Sequence, residues 1–136
     1  MGANDGASGV GVMLELARLL QNDSTLSLGI DFVCFDAEDW GTPEWEENKS
    51  EEDTYALGAQ YWATQPLYGI LLDMVGGQGA KFYQEGVSKM YAQDVMTKVW
   101  NAAHGIGYGD YFPMADGAMV TDDHVPLNEK AGIPTI

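Results

Sequence analysis

The 136-residue sequence has 21 acidic residues against six Lys and Arg, and its formal net charge is −15. Such a surface repels phosphate backbones, which argues against nucleic acid as a partner. Apolar residues make up 46% of the chain, enough for the core of one folded domain. The sequence contains no run of 18 apolar residues that would predict a membrane span, and no signal peptide is visible before residue 10. The acidity either aids solubility or attracts cationic ligands such as the ammonium end of a peptide.

The first half of the chain predicts a helix and then a strand. Residues 2–9 are a glycine-rich turn, and apolar residues recur at helical spacing over residues 8–20. Residues 30–35 form a short apolar run rich in strand formers, which predicts a buried central strand. A polar loop covers residues 37–53, with six acids crowded between residues 44 and 53.

The second half of the chain continues this alternation. A short helix is predicted near residues 55–63, a second buried strand at 68–75 and a long helix at 87–104. A short helix near residues 126–130 and a strand that opens at residue 133 follow. Helices between strands predict an α/β sandwich around a mostly parallel sheet. Ligands of such sheets gather at the carboxyl ends of strands, here after Phe35 and after Leu72.

The single cysteine, Cys34, excludes an internal disulfide and is predicted to be buried in the first strand. With one Cys and two His residues, a Cys/His structural zinc site cannot be assembled. Any metal must therefore be held largely by carboxylates.

Carboxylates occur at four places where such chemistry is expected. They precede the first helix, end each of the two predicted strands and precede the last helix, at Asp5; Asp36, Glu38 and Asp39; Asp73; and Asp122 and Asp123. Adjacent acids after a buried strand are costly unless a cation or protons compensate their charge. A zinc ion bound to one acid of the Glu38–Asp39 pair would leave the other free to carry protons.

Structural interpretations stand beside these. Asp5 and Asp122 are each placed to cap the helix that follows. His124 follows two aspartates and is a candidate metal ligand, whereas His104 is interpreted as the cationic end of its helix.

As an ordered set, residues 2–9, 35–39, 72–76 and 122–124 resemble the zinc aminopeptidases and the animal-type glutaminyl cyclases. Residues 35–45, 57–62 and 107–112 resemble the bacterial branch of the cyclases most. The resemblance covers essentially the whole chain and implies a zinc aminopeptidase-like fold with one zinc in the complete protein.

The resemblance also implies roles for individual residues. Asp5 and Asp39 match zinc ligands, and Glu38 matches the general base. Asp73 is either a second-metal ligand, as in the peptidases, or a hydrogen-bonding partner, as in the cyclases. Asp122 matches an aspartate that shares protons with the base. His124 does not match the family's zinc histidine.

The implied activity is cyclisation of the N-terminal glutamine of peptides to pyroglutamate with release of ammonia. The alternatives are a two-zinc aminopeptidase and a non-catalytic binding domain of the same fold. The family's upstream His-x-Asp and its later zinc histidine are not in this sequence, so we expect residues 1–136 to be one partial domain, inactive alone. Relatives are commonly exported, which predicts a periplasmic or cell-envelope location.

Overall fold

The computed structural model describes residues 2–42, 46, 54–62 and 66–136. Most of the predicted acidic stretch at 44–53 and the predicted helix end at residue 63 lie outside the described residues. The described helices are α1 (Ala7–Leu20), α2 (Leu57–Tyr61), α3 (Gly86–Tyr91), α4 (Gln93–Gly105) and α5 (His124–Glu129). None of them is long and apolar enough to cross a membrane.

The chain divides into two compact units. Unit 1 comprises Met1–Cys34 and Leu72–Ala80, and unit 2 comprises Phe35–Leu71 and Lys81–Ile136. The prediction of one partial domain stays a prediction, and each unit is described by itself.

In unit 1, the predicted first helix is confirmed as α1. The glycine turn places Gly6 at the N-cap with a φ of 76°, in the region that glycine adopts readily. Gly9 is the buried residue of α1, because its backbone lies against the Leu72 carbonyl. Large apolar side chains elsewhere on the helix stay exposed, with Leu14 at 68% and Leu19 at 55%.

The predicted buried strand at residues 30–35 is not found. Ile30 and Phe32 are 45% and 42% exposed, and Cys34 is exposed rather than buried as predicted. Across the described part of the chain, no backbone hydrogen bond joins residues 30–34 to another segment. A run of strand formers is buried when neighbouring strands cover it, and no strand among the described residues pairs with residues 30–34.

In unit 2, the predicted second strand is reduced to a short parallel pairing. Gly69 donates to Pro134 O at 2.9 Å, Ile136 to Gly69 O at 3.2 Å, and Leu71 to Ile136 O at 2.7 Å. The structure records this pairing as an isolated bridge between Gly69 and Thr135. The chain after residue 133 therefore pairs as expected, but the mostly parallel sheet is not confirmed within the described residues.

One core cluster of unit 2 lies between α2 and α5. Its buried apolar residues are Ala56, Ala59, Leu127 and Ile133. Phe35 and Trp62 pack against this cluster, and their rings meet edge to face with centroids 5.8 Å apart. The core thus lies directly behind the start of the acidic segment at residues 36–39.

The single helix predicted at residues 87–104 is two helices in the structure. The break is at Ala92, which leaves helical geometry at φ −131° and ψ 33° and is only 3% exposed. The apolar face of α4 is buried through Val95, Met96, Trp100 and Ala103.

Candidate functional site

The acidic segment at residues 36–39 is held by the backbone of α2. Gly58 donates to Asp36 O at 3.0 Å, Leu57 to Ala37 O at 3.3 Å, and Ala56 to Glu38 O at 2.9 Å. The free amides at the start of a helix are thereby satisfied by three successive carbonyls. A Cβ at residue 58 would lie 2.5 Å from the Asp36 carbonyl oxygen, so this approach requires glycine. Main-chain contacts therefore set the position of Glu38.

Glu38 is half-buried in a cluster of acids. Burial raises its pKa, and so do a hydrogen bond with Asp39 and the negative charges of Asp122, Asp39 and Asp123. Together these effects bring the pKa of Glu38 to about 7. The structure thus brings together three residues that the sequence placed in one site, Glu38, Asp39 and Asp122. Their catalytic and metal-binding roles stay predictions.

Asp122 lies in the turn that leads into α5. Its Oδ1 accepts a hydrogen bond from Asp123 N at 2.6 Å, and its carbonyl accepts one from Val125 N at 2.9 Å. The N-cap of α5 is Asp123, and no side-chain capping bond is formed there. Asp122 is therefore not the predicted helix cap.

Unit 1 contains the other two candidate acids, Asp5 and Asp73. The turn around Asp5 and the loop after Asp73 are joined because Asn4 Oδ1 accepts from Gly76 N at 2.9 Å and Ser8 Oγ accepts from Val75 N at 3.0 Å. Asp5 is exposed and is not the cap of α1, whose N-cap is Gly6 without a side-chain capping bond. The cap interpretation of Asp5 is therefore wrong.

Within the described parts of the chain, three non-glycine residues adopt positive φ, and each borders one of these segments. Ala37 (57°) precedes Glu38, Met74 (44°) follows Asp73, and Ala56 (52°) bonds the Glu38 carbonyl. Such backbone is unfavourable for residues with a Cβ, and it occurs often where a structure presents functional side chains.

Sequence reasoning missed Glu85. Its carboxylate accepts from Val87 N at 2.9 Å, Ser88 N at 2.7 Å and Val120 N at 2.9 Å, and it lies 3.1 Å from His124 Nε2. Burial raises the pKa of Glu85, but the three backbone donors outweigh it and hold the pKa below its ordinary value. The one available signal was a glutamate just before a helix, where Ser, Thr, Asp or Asn is usual.

Each of the two histidines contacts a protein group through its Nε2 atom. His104 Nε2 lies 2.8 Å from the carbonyl oxygen of Phe112, so it links the last turn of α4 to the loop that follows. His124 faces Glu85.

The candidate acids meet part of what a zinc site requires. Carboxylate oxygens are accepted zinc ligands, and a catalytic zinc usually has three protein ligands and an open position. By resemblance, Asp5 and Asp39 are the predicted zinc-ligating carboxylates, and this role stays a prediction. Among the residues that the structure describes, no group of three or more His, Cys, Asp or Glu is arranged to hold a metal ion.

Comparison with known proteins gives consistent matches. The model of Peptidase family M28 matches residues 1–136. A glutaminyl cyclase of Bacteroides thetaiotaomicron, solved with N-acetylhistamine bound, is 49% identical over 99% of this chain and 48% of its own, with a TM-score of 0.89. A Zn-dependent exopeptidase from Parabacteroides distasonis is 44% identical over 99% of this chain and 48% of its own, with a TM-score of 0.90.

A curated relative is more distant. Aminopeptidase YwaD of Bacillus subtilis is 32% identical over 97% of this chain but only 27% of its own length. The chain spans about half the length of the solved relatives and about a quarter of the length of YwaD. The fold is therefore that of the zinc aminopeptidase-like proteins, within which these relatives have either cyclase or peptidase names.

Proposed function

Because this chain belongs to peptidase family M28, we propose that its parent protein is a zinc-dependent glutaminyl-peptide cyclotransferase. The observation that carries the proposal is the 49% identity to a bacterial glutaminyl cyclase across 99% of the chain. The cluster of Glu38, Asp39 and Asp122 supports it, since a carboxyl group with a pKa of about 7 can both accept and donate a proton near neutral pH.

The proposed substrate is a peptide with a free N-terminal glutamine. Its α-amine attacks the side-chain amide carbon, one C–N bond forms, the original C–N bond breaks, and ammonia leaves. Glu38 takes a proton from the attacking amine and returns it to the leaving nitrogen. The negative charges of Asp122 and Asp39 raise the pKa of Glu38, so that its carboxyl group can still hold a proton near neutral pH. Since the attack is intramolecular, the remaining task of the protein is to orient the glutamine.

Zinc is proposed at the family level to be bound through Asp5 and Asp39 together with ligands that this chain does not supply. When bound, zinc would act as a Lewis acid toward the amide carbonyl of the substrate. The α/β sandwich with a parallel sheet and the exported location also remain proposals.

The test is Glu38→Gln in the full-length parent protein. We expect at least a hundredfold loss of the rate of ammonia release, at the low end of what acid–base residues contribute. Glu15→Gln is the matched control, because Glu15 is an exposed glutamate whose partner is Arg18 on the same helix. A near-wild-type rate for Glu38→Gln would remove Glu38 from the mechanism.

The second candidate is a two-zinc aminopeptidase, favoured by the likeness to aminopeptidase YwaD. Asp5 would then bridge the metals and Asp73 would hold the second. Two zinc ions per full-length chain and hydrolysis of a leucine anilide would favour the peptidase. One zinc ion and ammonia release from a Gln-peptide would favour the cyclase. A non-catalytic binding domain would show neither activity.

A further inference from the structure

We propose that Glu85 and His124 form a clamp that positions Asp122 beside Glu38. The proposal rests on the proposed function, because Asp122 matters to catalysis only if Glu38 is the proton carrier. Glu85 and His124 are proposed as positioning residues, since they would act through the loop that carries Asp122.

The clamp joins three parts of unit 2. Through one oxygen, Glu85 accepts from Val87 N at the start of α3 and from Val120 N in the loop before α5, each at 2.9 Å. Through the other, it accepts from Ser88 N at 2.7 Å and lies 3.1 Å from His124 Nε2. One carboxylate thus anchors the loop on both sides of Asp122.

The environment makes these contacts hard to replace. His124 is only 4% exposed and is the first residue of α5, and the side chain of Glu85 is 21% exposed. Hydrogen bonds to a charged group that is shielded from water are stronger than neutral surface ones. If the Glu85 carboxylate were removed, the buried ring of His124 would turn or shift. The loop residues before it, from Asp122 onwards, would then shift as well.

The position of the loop bears directly on the acid cluster. The loop leads into α5, whose Leu127 packs in one cluster with Ala56, and Ala56 N donates to the Glu38 carbonyl at 2.9 Å. The loop that carries Asp122 and the segment that carries Glu38 are therefore attached to the same apolar cluster. His124 follows the loop directly and its Nε2 faces Glu85. His124, which the sequence offers as a candidate metal ligand, thus has a role that requires no metal.

The experiment uses full-length protein with His124→Phe, which keeps a ring and removes the nitrogen. His124→Gln is the conservative variant, because its amide can still donate to Glu85, and Glu85→Gln tests the other partner. Val95→Ala is the control, since Val95 is a buried residue of α4 and is not part of the clamp. For each variant we would measure kcat and KM for a Gln-peptide and the amide exchange of residues 120–125.

We expect His124→Phe and Glu85→Gln to lower kcat about 10- to 100-fold with KM near wild type, as for other residues that orient a reacting group. Amide exchange over residues 120–125 should rise, and His124→Gln should recover most of kcat. Val95→Ala should lose stability with kcat retained.

Two results would overturn the proposal: unchanged exchange at residues 120–125 in both clamp variants, or faster exchange with an unchanged kcat. A wild-type parent without cyclase activity would overturn the proposed function and, with it, the catalytic purpose of the clamp. The exchange data would then still show whether Glu85 and His124 hold the loop, so the two failures can be told apart.

Discussion

Unit 1 joins its acidic turn and loop with two side chains, Asn4 and Ser8, whereas unit 2 holds its acidic segment with helix amides against a buried core. The helix of unit 1 buries only Gly9 and leaves Leu14 and Leu19 largely exposed. The segment of unit 2 is hydrogen-bonded to Ala56, which is 2% exposed. Local hydrogen bonds can shape a candidate site, but close packing is what prevents it from moving.

The largest effect is expected from Gly58→Ala in unit 2. The new Cβ would lie 2.5 and 2.6 Å from backbone atoms of Asp36. The cluster that α2 packs in includes Ala59 and Leu127, which are 1% and 4% exposed. We expect a loss of about 3 kcal/mol of unfolding free energy, at the upper end for overpacking. Urea unfolding measures it, with Gly105→Ala as control because nothing lies within 4 Å of that site. A neutral Gly58→Ala would show that the segment is not tightly packed.

A smaller loss is expected from Gly9→Ala in unit 1. Here too a Cβ would overlap a backbone carbonyl, that of Leu72, but the exposed helix has room to shift. We expect a loss of about 1 kcal/mol, at the lower end of overpacking costs. Gly11→Ala on the same helix has open space and should instead gain up to about 1 kcal/mol in helix propensity. If Gly9→Ala proved costlier than Gly58→Ala, the contrast between the units would be wrong.

The last expected effect is a pH dependence due to Glu38. Its pKa rises from an ordinary value of 4.5 to about 7 on folding. The stability linked to its protonated form is therefore fully present below 4.5 and is lost as the pH rises through 7. Between about pH 5 and about pH 8, metal-free wild type should lose more thermal stability than Glu38→Gln does.

Glu15→Gln serves as the control, since Arg18 holds the pKa of Glu15 below its ordinary value and this carboxyl stays charged throughout that range. If the thermal stability of wild type and of Glu38→Gln changed equally with pH, the acid cluster would not perturb the pKa of Glu38.

The sequence predicted what local patterns determine. A glycine turn followed by apolar residues at helical spacing was enough for α1, and the order of the acidic motifs was enough for the family. The break at Ala92 was not predictable from helix propensity, because alanine is the best helix former.

The contacts that define the site are long-range, and the sequence did not show them. Glu85 lies 35 residues from Val120 and 39 from His124, so no spacing rule relates them. Cys34 and Ile30 sit in a run that resembles a strand, but burial depends on partners from elsewhere in the fold. Whether Asp5 and Asp39 bind zinc stays a prediction.

The attachment of residues 36–38 to α2 has a consequence for how such a site can change. The bonded groups are carbonyl oxygens, which every amino acid carries, so the anchoring does not depend on which side chains the segment bears. Exchanging Asp39 for Glu, or Glu38 for another residue, alters the chemistry that is presented and leaves its support in place. The position that requires one particular residue is instead Gly58, which carries no reactive group at all.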